Sequence, residues 1–143
     1  MDVVATLVAP CSTEALFAQV DDLTRYPDWL EIVTRADPID DGAWAVDLRG
    51  RLGPLARSKR LRMVRGATSD PTSVRFERAE LDGRTHSPWV LEASVGPHRE
   101  GSELHMRLHY GGGLFGPVLE RVLRDEIERS RLRLLALVSG WPA

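Results

Sequence analysis

The chain has 143 residues, 43% hydrophobic and 28% charged, with a formal net charge of −2. That balance fits one globular domain whose core needs no metal or disulfide staple, and the slight acidity argues against an obligate nucleic-acid binder. Cys11 is the single cysteine, which excludes an internal disulfide and makes a reducing compartment the simplest reading.

No apolar stretch approaches the ~20 residues that cross a bilayer. Met1-Asp2-Val3-Val4 lacks the basic and then hydrophobic pattern of a signal peptide, so the expectation is a cytoplasmic protein with no transmembrane segment.

Val3 to Val8 is rich in β-branched residues and predicts a strand that Pro10 ends. Ser12-Thr13-Glu14-Ala15 predicts a helix start with Ser12 as the cap, and Leu16, Phe17 and Val20 give its apolar stripe. Leu23 to Trp29 predicts a second short helix or turn; Pro27 suits a helical start and not an undisturbed interior.

The period then changes to two. Ile32-Val33-Thr34 opens a strand region, followed by Trp44/Val46/Leu48, Leu61/Met63, Val74/Phe76, Trp89/Leu91/Ala93/Val95 and Leu104/Met106/Leu108/Tyr110, each alternating with more polar neighbours. Such alternation suits an antiparallel sheet with one apolar and one wet face. Asp41-Gly42, Gly53-Pro54, Asp70-Pro71, Asp82-Gly83 and Arg99-Glu100-Gly101 mark the turns, and their short spacing favours hairpins over parallel crossovers.

From Gly116 to Val138 the period returns to 3.6. Leu119, Leu123, Ile127, Leu134 and Val138, joined by Val122 and Leu137, form one broad face. Glu120, Arg124, Glu128 and Arg131 fit the solvated side, and Gly140 can end the helix. At the standard rise the helix is about 35 Å long. No linker or internal repeat divides the chain, so residues 1–143 read as a single domain.

This order, carried locally by Thr13-Glu14-Ala15-Leu16-Phe17-Ala18-Gln19-Val20, Tyr26-Pro27-Asp28-Trp29, Ser87-Pro88-Trp89 and Gly116-Pro117-Val118-Leu119, resembles the START-like helix-grip proteins. More narrowly, it resembles the bacterial polyketide cyclase/dehydrase-like (SRPBCC) group. The resemblance covers nearly the whole chain. It implies an α+β helix-grip fold: a seven-stranded curved antiparallel sheet around a long C-terminal helix, with two short helices after strand 1 closing one end of a cavity. It also implies a hydrophobic ligand, such as a lipid, an aromatic polyketide, a hormone or a quinone-like molecule. Members include binders, carriers and enzymes, and fold alone does not choose among them.

Alternation and helical period together nominate the inward side chains. They are Trp44, Met63, Phe76, Trp89, Leu91, Met106, Leu108 and Tyr110 from the sheet, and Leu119, Leu123 and Ile127 from the helix. Tyr26 and Trp29, from the second short helix, are placed near the entrance. Each of these residues serves either as core filler or as ligand wall. The Tyr110 hydroxyl is a candidate for orienting a ligand carbonyl. Gly111-Gly112-Gly113 reads as a turn or as a lip over the cavity, and not as a phosphate loop, because the GxxxxGK[ST] pattern is missing.

No catalytic constellation stands out. His86 is the best lone candidate for acid–base work, with a surface or loop role as its alternative, and Ser87 lacks a partner base in the pattern. His105 and His109 share strand parity but lie about 13 Å apart along the strand, too far to hold one ion together. No cofactor motif or metal site is read from the chain.

Arg49, Arg51, Arg57, Lys59, Arg60, Arg62 and Arg65 form a basic segment with no acidic residue. It reads as the exposed face of a hairpin, or as a weak contact for an anionic surface or acidic partner. It lacks the interleaved aromatic residues of a base-stacking groove, so no specific nucleic acid is expected. The leading expectation is a binder or carrier of a hydrophobic small molecule. The alternatives are a cyclase/dehydratase-like enzyme and an interaction module that uses the basic hairpin.

Overall fold

The computed structural model describes residues 1–49, 59–68, 70–111 and 116–139. Strand β1 (Asp2–Ala9) leads through helix α1 (Thr13–Val20) and a 3-10 helix (Leu23–Asp28) into β2 (Val33–Asp40), β3 (Ala43–Leu48), β4 (Lys59–Arg65), β5 (Ser73–Arg78), β6 (Trp89–His98) and β7 (Gly101–Tyr110). Helix α2 (Gly116–Val138) ends the described fold.

The strands form one seven-stranded sheet in the order β1-β7-β6-β5-β4-β3-β2, with every neighbouring pair antiparallel. Strands β1 and β2, joined through the two short helices, therefore lie at opposite edges. The sheet is curved and open, and with α2 it makes the helix-grip fold that the sequence resemblance implied.

Local chemistry explains the short elements. The Ser12 hydroxyl accepts the Ala15 N–H at 3.1 Å, and Asp22 accepts the Thr24 N–H at 2.9 Å, so each short helix has one of its orphan donors satisfied. The 3-10 form of the second accommodates Pro27 inside it. Edge strand β2 carries Pro38 and two register irregularities, features that discourage pairing with another chain.

Period two holds on the sheet's inner face. Trp89, Leu91, Ala93 and Val95 are buried while the residues between them are half-buried. On α2 the buried stripe runs Leu119, Leu123, Glu126, Ser130, Leu134, Val138. This differs from the face expected from hydropathy alone: Leu137 is 45% exposed, Ile127 is only partly buried, and two polar residues occupy the centre of the stripe.

Ser130 explains one of those polar positions. Its hydroxyl donates to the Glu126 carbonyl at 2.7 Å and accepts the Glu31 N–H at 3.3 Å, which ties the helix to the loop that follows the 3-10 helix. Among the described residues no helix is long and apolar enough to cross a membrane. The expectations for Arg51, Gly53-Pro54, Arg57, Gly112, Gly113 and Gly140 fall outside the described residues.

Candidate functional site

A cavity of about 90 Å³ lies between the sheet and α2. Its wall combines β1 (Val3, Leu7), β3 (Val46, Leu48), β4 (Leu61, Met63), β6 (Trp89, Leu91) and β7 (Leu104, Met106, Leu108) with α2 (Leu123, Ile127, Leu134). Leu23, Tyr26, Trp29 and Leu30 close it from the short-helix side. Nearly all of the exposed lining is carbon. Strand pleat and helical period have put apolar side chains on one inner surface, and the facing layers do not fill the space between them completely.

The structure divides the nominated residues into two groups. Tyr26, Trp29, Met63, Trp89, Leu91, Met106, Leu108, Leu123 and Ile127 lie on the cavity wall. Trp44, Phe76, Tyr110 and Leu119 are buried away from it. Phe76 meets Trp44 edge-on at 5.3 Å between ring centroids and Tyr26 at 6.3 Å, making an aromatic cluster in the packed core. Tyr110 packs against Trp89 at 4.6 Å, so it backs a wall residue.

Tyr26 and Trp29 are 0% and 3% exposed. They form an inner wall and not a solvent-facing rim, because their polar ends are bound inside the protein. The Tyr26 hydroxyl donates to the Val20 carbonyl at 2.9 Å, and Trp29 Nε1–H donates to the Gln19 carbonyl at 3.1 Å.

The nominated set left out many apolar wall residues, Val46, Leu61 and Leu104 among them, and also the two charged ones, Glu126 and Arg131. Glu126 is buried and pairs with the guanidinium of Arg129. Arg131 was expected on the solvated side. Its side chain does reach solvent, and Nη1 pairs with Glu128 Oε2 at 3.1 Å, but its Nε is buried. A long side chain at the margin of the apolar face can do both. The spacing of Leu119, Leu123, Leu134 and Val138 was the signal available for Glu126, since it occupies the same helical stripe.

His86 lies in the loop before β6 and is not part of the cavity wall. Its Nδ1 is 3.3 Å from Arg78 Nη2 and its Nε2 is 2.7 Å from Asp82 Oδ2. Arginine only donates, so Nδ1 accepts and Nε2–H donates to the carboxylate. Both ring nitrogens are engaged in holding the loop. The Arg84 N–H and the His86 ring hold the Asp82 carboxyl below its ordinary range. Burial pushes nearby Glu80 up, but Arg78 and the Arg62 N–H together outweigh it and hold that carboxyl low.

Three arginines in the described part of the basic segment are paired with carboxylates from other elements. Arg60 Nε lies 2.8 Å from Asp47 Oδ1, Arg62 Nη2 lies 3.8 Å from Asp40 Oδ2, and Arg65 pairs with Asp21. The Arg60 hydrogen bond holds the Asp47 carboxyl below its ordinary range. These carboxylates come from β2, β3 and the end of α1, so the acidic balance missing from the segment itself is supplied by the fold.

Comparison with solved structures places this architecture among known ones. A START superfamily protein from Mycobacterium smegmatis superposes with a TM-score of 0.74 at 15% identity, covering 99% of each chain. A protein from Chromobacterium violaceum gives 0.71 at 12% identity, covering 97% of this chain and 98% of its own. One from Thermus thermophilus gives 0.65 at 16% identity, covering 97% and 94%. Likeness at such identities shows the fold alone. A search of curated proteins finds no match. The family profile described as "Polyketide cyclase / dehydrase and lipid transport" matches residues 1–139, and with the START-like fold this places the chain in the polyketide cyclase/dehydrase and lipid transport family.

Proposed function

We propose that this protein binds and carries an apolar small molecule, of lipid, polyketide, quinone-like or other aromatic type, in the cavity between the sheet and α2. The observation that carries the reading is an apolar cavity in the middle of an otherwise closely packed domain. Burying ~200 Å² of ligand apolar surface would contribute about 5 kcal/mol before the entropic cost of association, enough for a carrier without any catalytic step. Met63 and Met106, both on the wall, are unbranched and adapt their shape to a larger guest.

Wall chemistry supports a binder over a catalyst. The Tyr26 hydroxyl and the Trp29 N–H are committed to backbone carbonyls. Among the described wall residues the one carboxylate, Glu126, is paired with Arg129. A cyclase or dehydratase would need a group free to move a proton inside the cavity.

Native mass spectrometry of the purified protein, with extraction of any co-purified molecule, tests the proposal. Titration with naphthalene provides the second arm. The expected result is a releasable apolar adduct, or saturable uptake of the probe. Absence of both overturns the reading.

A further inference from the structure

Most apolar residues on the cavity wall are fully buried, and those that are not mark where the cavity comes nearest to solvent. Among the described apolar wall residues, Ala5, Leu30, Met106, Leu108 and Ile127 alone keep partial exposure. Three of them share one edge of the sheet's inner face. Ala5 of β1 is the register partner of Met106 of β7, and Leu108 follows beside Val3. Helix α2 packs along β1.

The two flanks of α2 are held differently. On one flank the helix is tied to the loop after the 3-10 helix. The Ser130 hydroxyl accepts the Glu31 N–H at 3.3 Å, Arg129 Nε lies 3.9 Å from Glu31 Oε2, and Arg133 Nη2 donates to the Asp28 carbonyl at 3.3 Å. At about 100° per residue, Arg133 lies roughly 60° to one side of Ser130 and Ile127 roughly 60° to the other. Ile127 therefore belongs to the opposite flank, toward β1 and β7. Among the described residues no hydrogen bond or ion pair joins α2 to either strand.

We propose that the guest enters the cavity through the seam between α2 and the β1–β7 edge, with Ile127 as the gate residue and Met106 and Leu108 as the facing rim. The inference rests on the binding function proposed above and adds its route. Parting this seam breaks only apolar contacts that are already half in water, whereas parting the other flank breaks three polar ties as well. The tied flank then serves as the hinge. Met106 is unbranched and can swing aside as a guest passes. Leu30, beside the polar ties, marks the competing route.

The test is stopped-flow mixing with naphthalene, followed by its fluorescence. Entry that needs an opening step is slowed by it, so shortening the gate residue should speed association. A residue that serves only as wall would affect dissociation instead. Ile127→Ala should raise the association rate constant at least about fivefold, and Leu30→Ala should leave it within about twofold. Ile127→Val, which removes one methyl group, should move it in the same direction and decides the matter if Ile127→Ala fails to fold. If naphthalene binds but neither Ile127 variant associates faster than Leu30→Ala, the seam is overturned and the cavity function stands. If the wild type takes up no naphthalene and carries no apolar adduct, both proposals are overturned.

Discussion

The Tyr26 hydroxyl donates to the Val20 carbonyl at 2.9 Å, and this bond joins the 3-10 helix to the last residue of α1. Both partners are 0% exposed, so the carbonyl has no alternative in water. Tyr26→Phe should destabilise the protein by about 1–2 kcal/mol at neutral pH, read as a shift in the denaturant midpoint at unchanged slope. Burial pushes the Tyr26 hydroxyl far above its ordinary value, and Asp21 adds to the effect while Arg65 offsets part of it. A folded value raised above the unfolded one gives stability that is complete below pH ~10 and declines as the pH rises further. The gap between wild type and Tyr26→Phe should therefore narrow above pH ~10. A constant gap would count against the buried hydroxyl.

Two turn glycines should answer differently to the same substitution. Gly101 has φ of 136°, and a Cβ there would stand 2.2 Å from the Ala9 carbonyl oxygen, a backbone atom that no rotamer change can move aside. Gly42 has φ of 71° with nothing within 4 Å of an added Cβ. Gly101→Ala should cost more than about 2 kcal/mol, and Gly42→Ala about 1 kcal/mol. Thermal unfolding of the two variants side by side checks the order.

The alternation of apolar and polar residues made the strands legible, and α2 runs over the residues its 3.6 period marked. Side-chain direction followed for Trp89, Leu91 and Met63 because strand parity leaves only two choices. Which inward residues border empty space was not legible. Phe76 and Met63 have the same parity signal, yet Phe76 is enclosed by Trp44 and Tyr26 while Met63 faces the cavity. That outcome depends on how three layers meet, which no single strand encodes. Glu126 was hidden for a related reason: a charged residue in an apolar stripe is invisible to hydropathy, and its partner Arg129 lies one turn along the same helix.

Acid sensitivity should centre on the loop between β5 and β6. Glu80 accepts from Arg78 Nε at 2.7 Å and from the Arg62 N–H at 3.2 Å, and its carboxyl is held below the ordinary range. A lowered folded value gives stability that is present above the unfolded carboxylate value, about 4.3 for glutamate, and lost as the pH falls through the folded value. Glu80→Gln should cost roughly 1 kcal/mol at pH 7 and progressively less below about pH 4. Equal loss at both ends of the range would show that the charge is immaterial.

Filling the cavity should abolish binding without unfolding the protein. Leu123 is 2% exposed and on the wall, and phenylalanine there would place its extra atoms in the void. Leu123→Phe should weaken uptake of an apolar probe at least about tenfold and alter stability by less than about 1.5 kcal/mol. Unchanged uptake would put the guest elsewhere.

Glu126 separates the carrying function from a catalytic one. It sits in the buried stripe of α2 and on the cavity wall, with Arg129 as partner. A buried ion pair is commonly replaced by apolar side chains at little cost or at a gain, whereas stranding one buried charge is costly. Here the partner is not stranded, because the Arg129 side chain is 43% exposed and also lies 3.9 Å from Glu31. Glu126→Leu should therefore change stability by no more than about 1 kcal/mol in either direction. A carrier with an apolar cavity keeps or improves its affinity for an apolar guest when the wall becomes more apolar. A catalyst that uses this carboxylate would lose its turnover, by about a hundredfold or more, while still binding. Uptake of naphthalene by Glu126→Leu at wild-type affinity or better is the expected result, and a marked loss of binding would instead make the carboxylate part of the recognition surface.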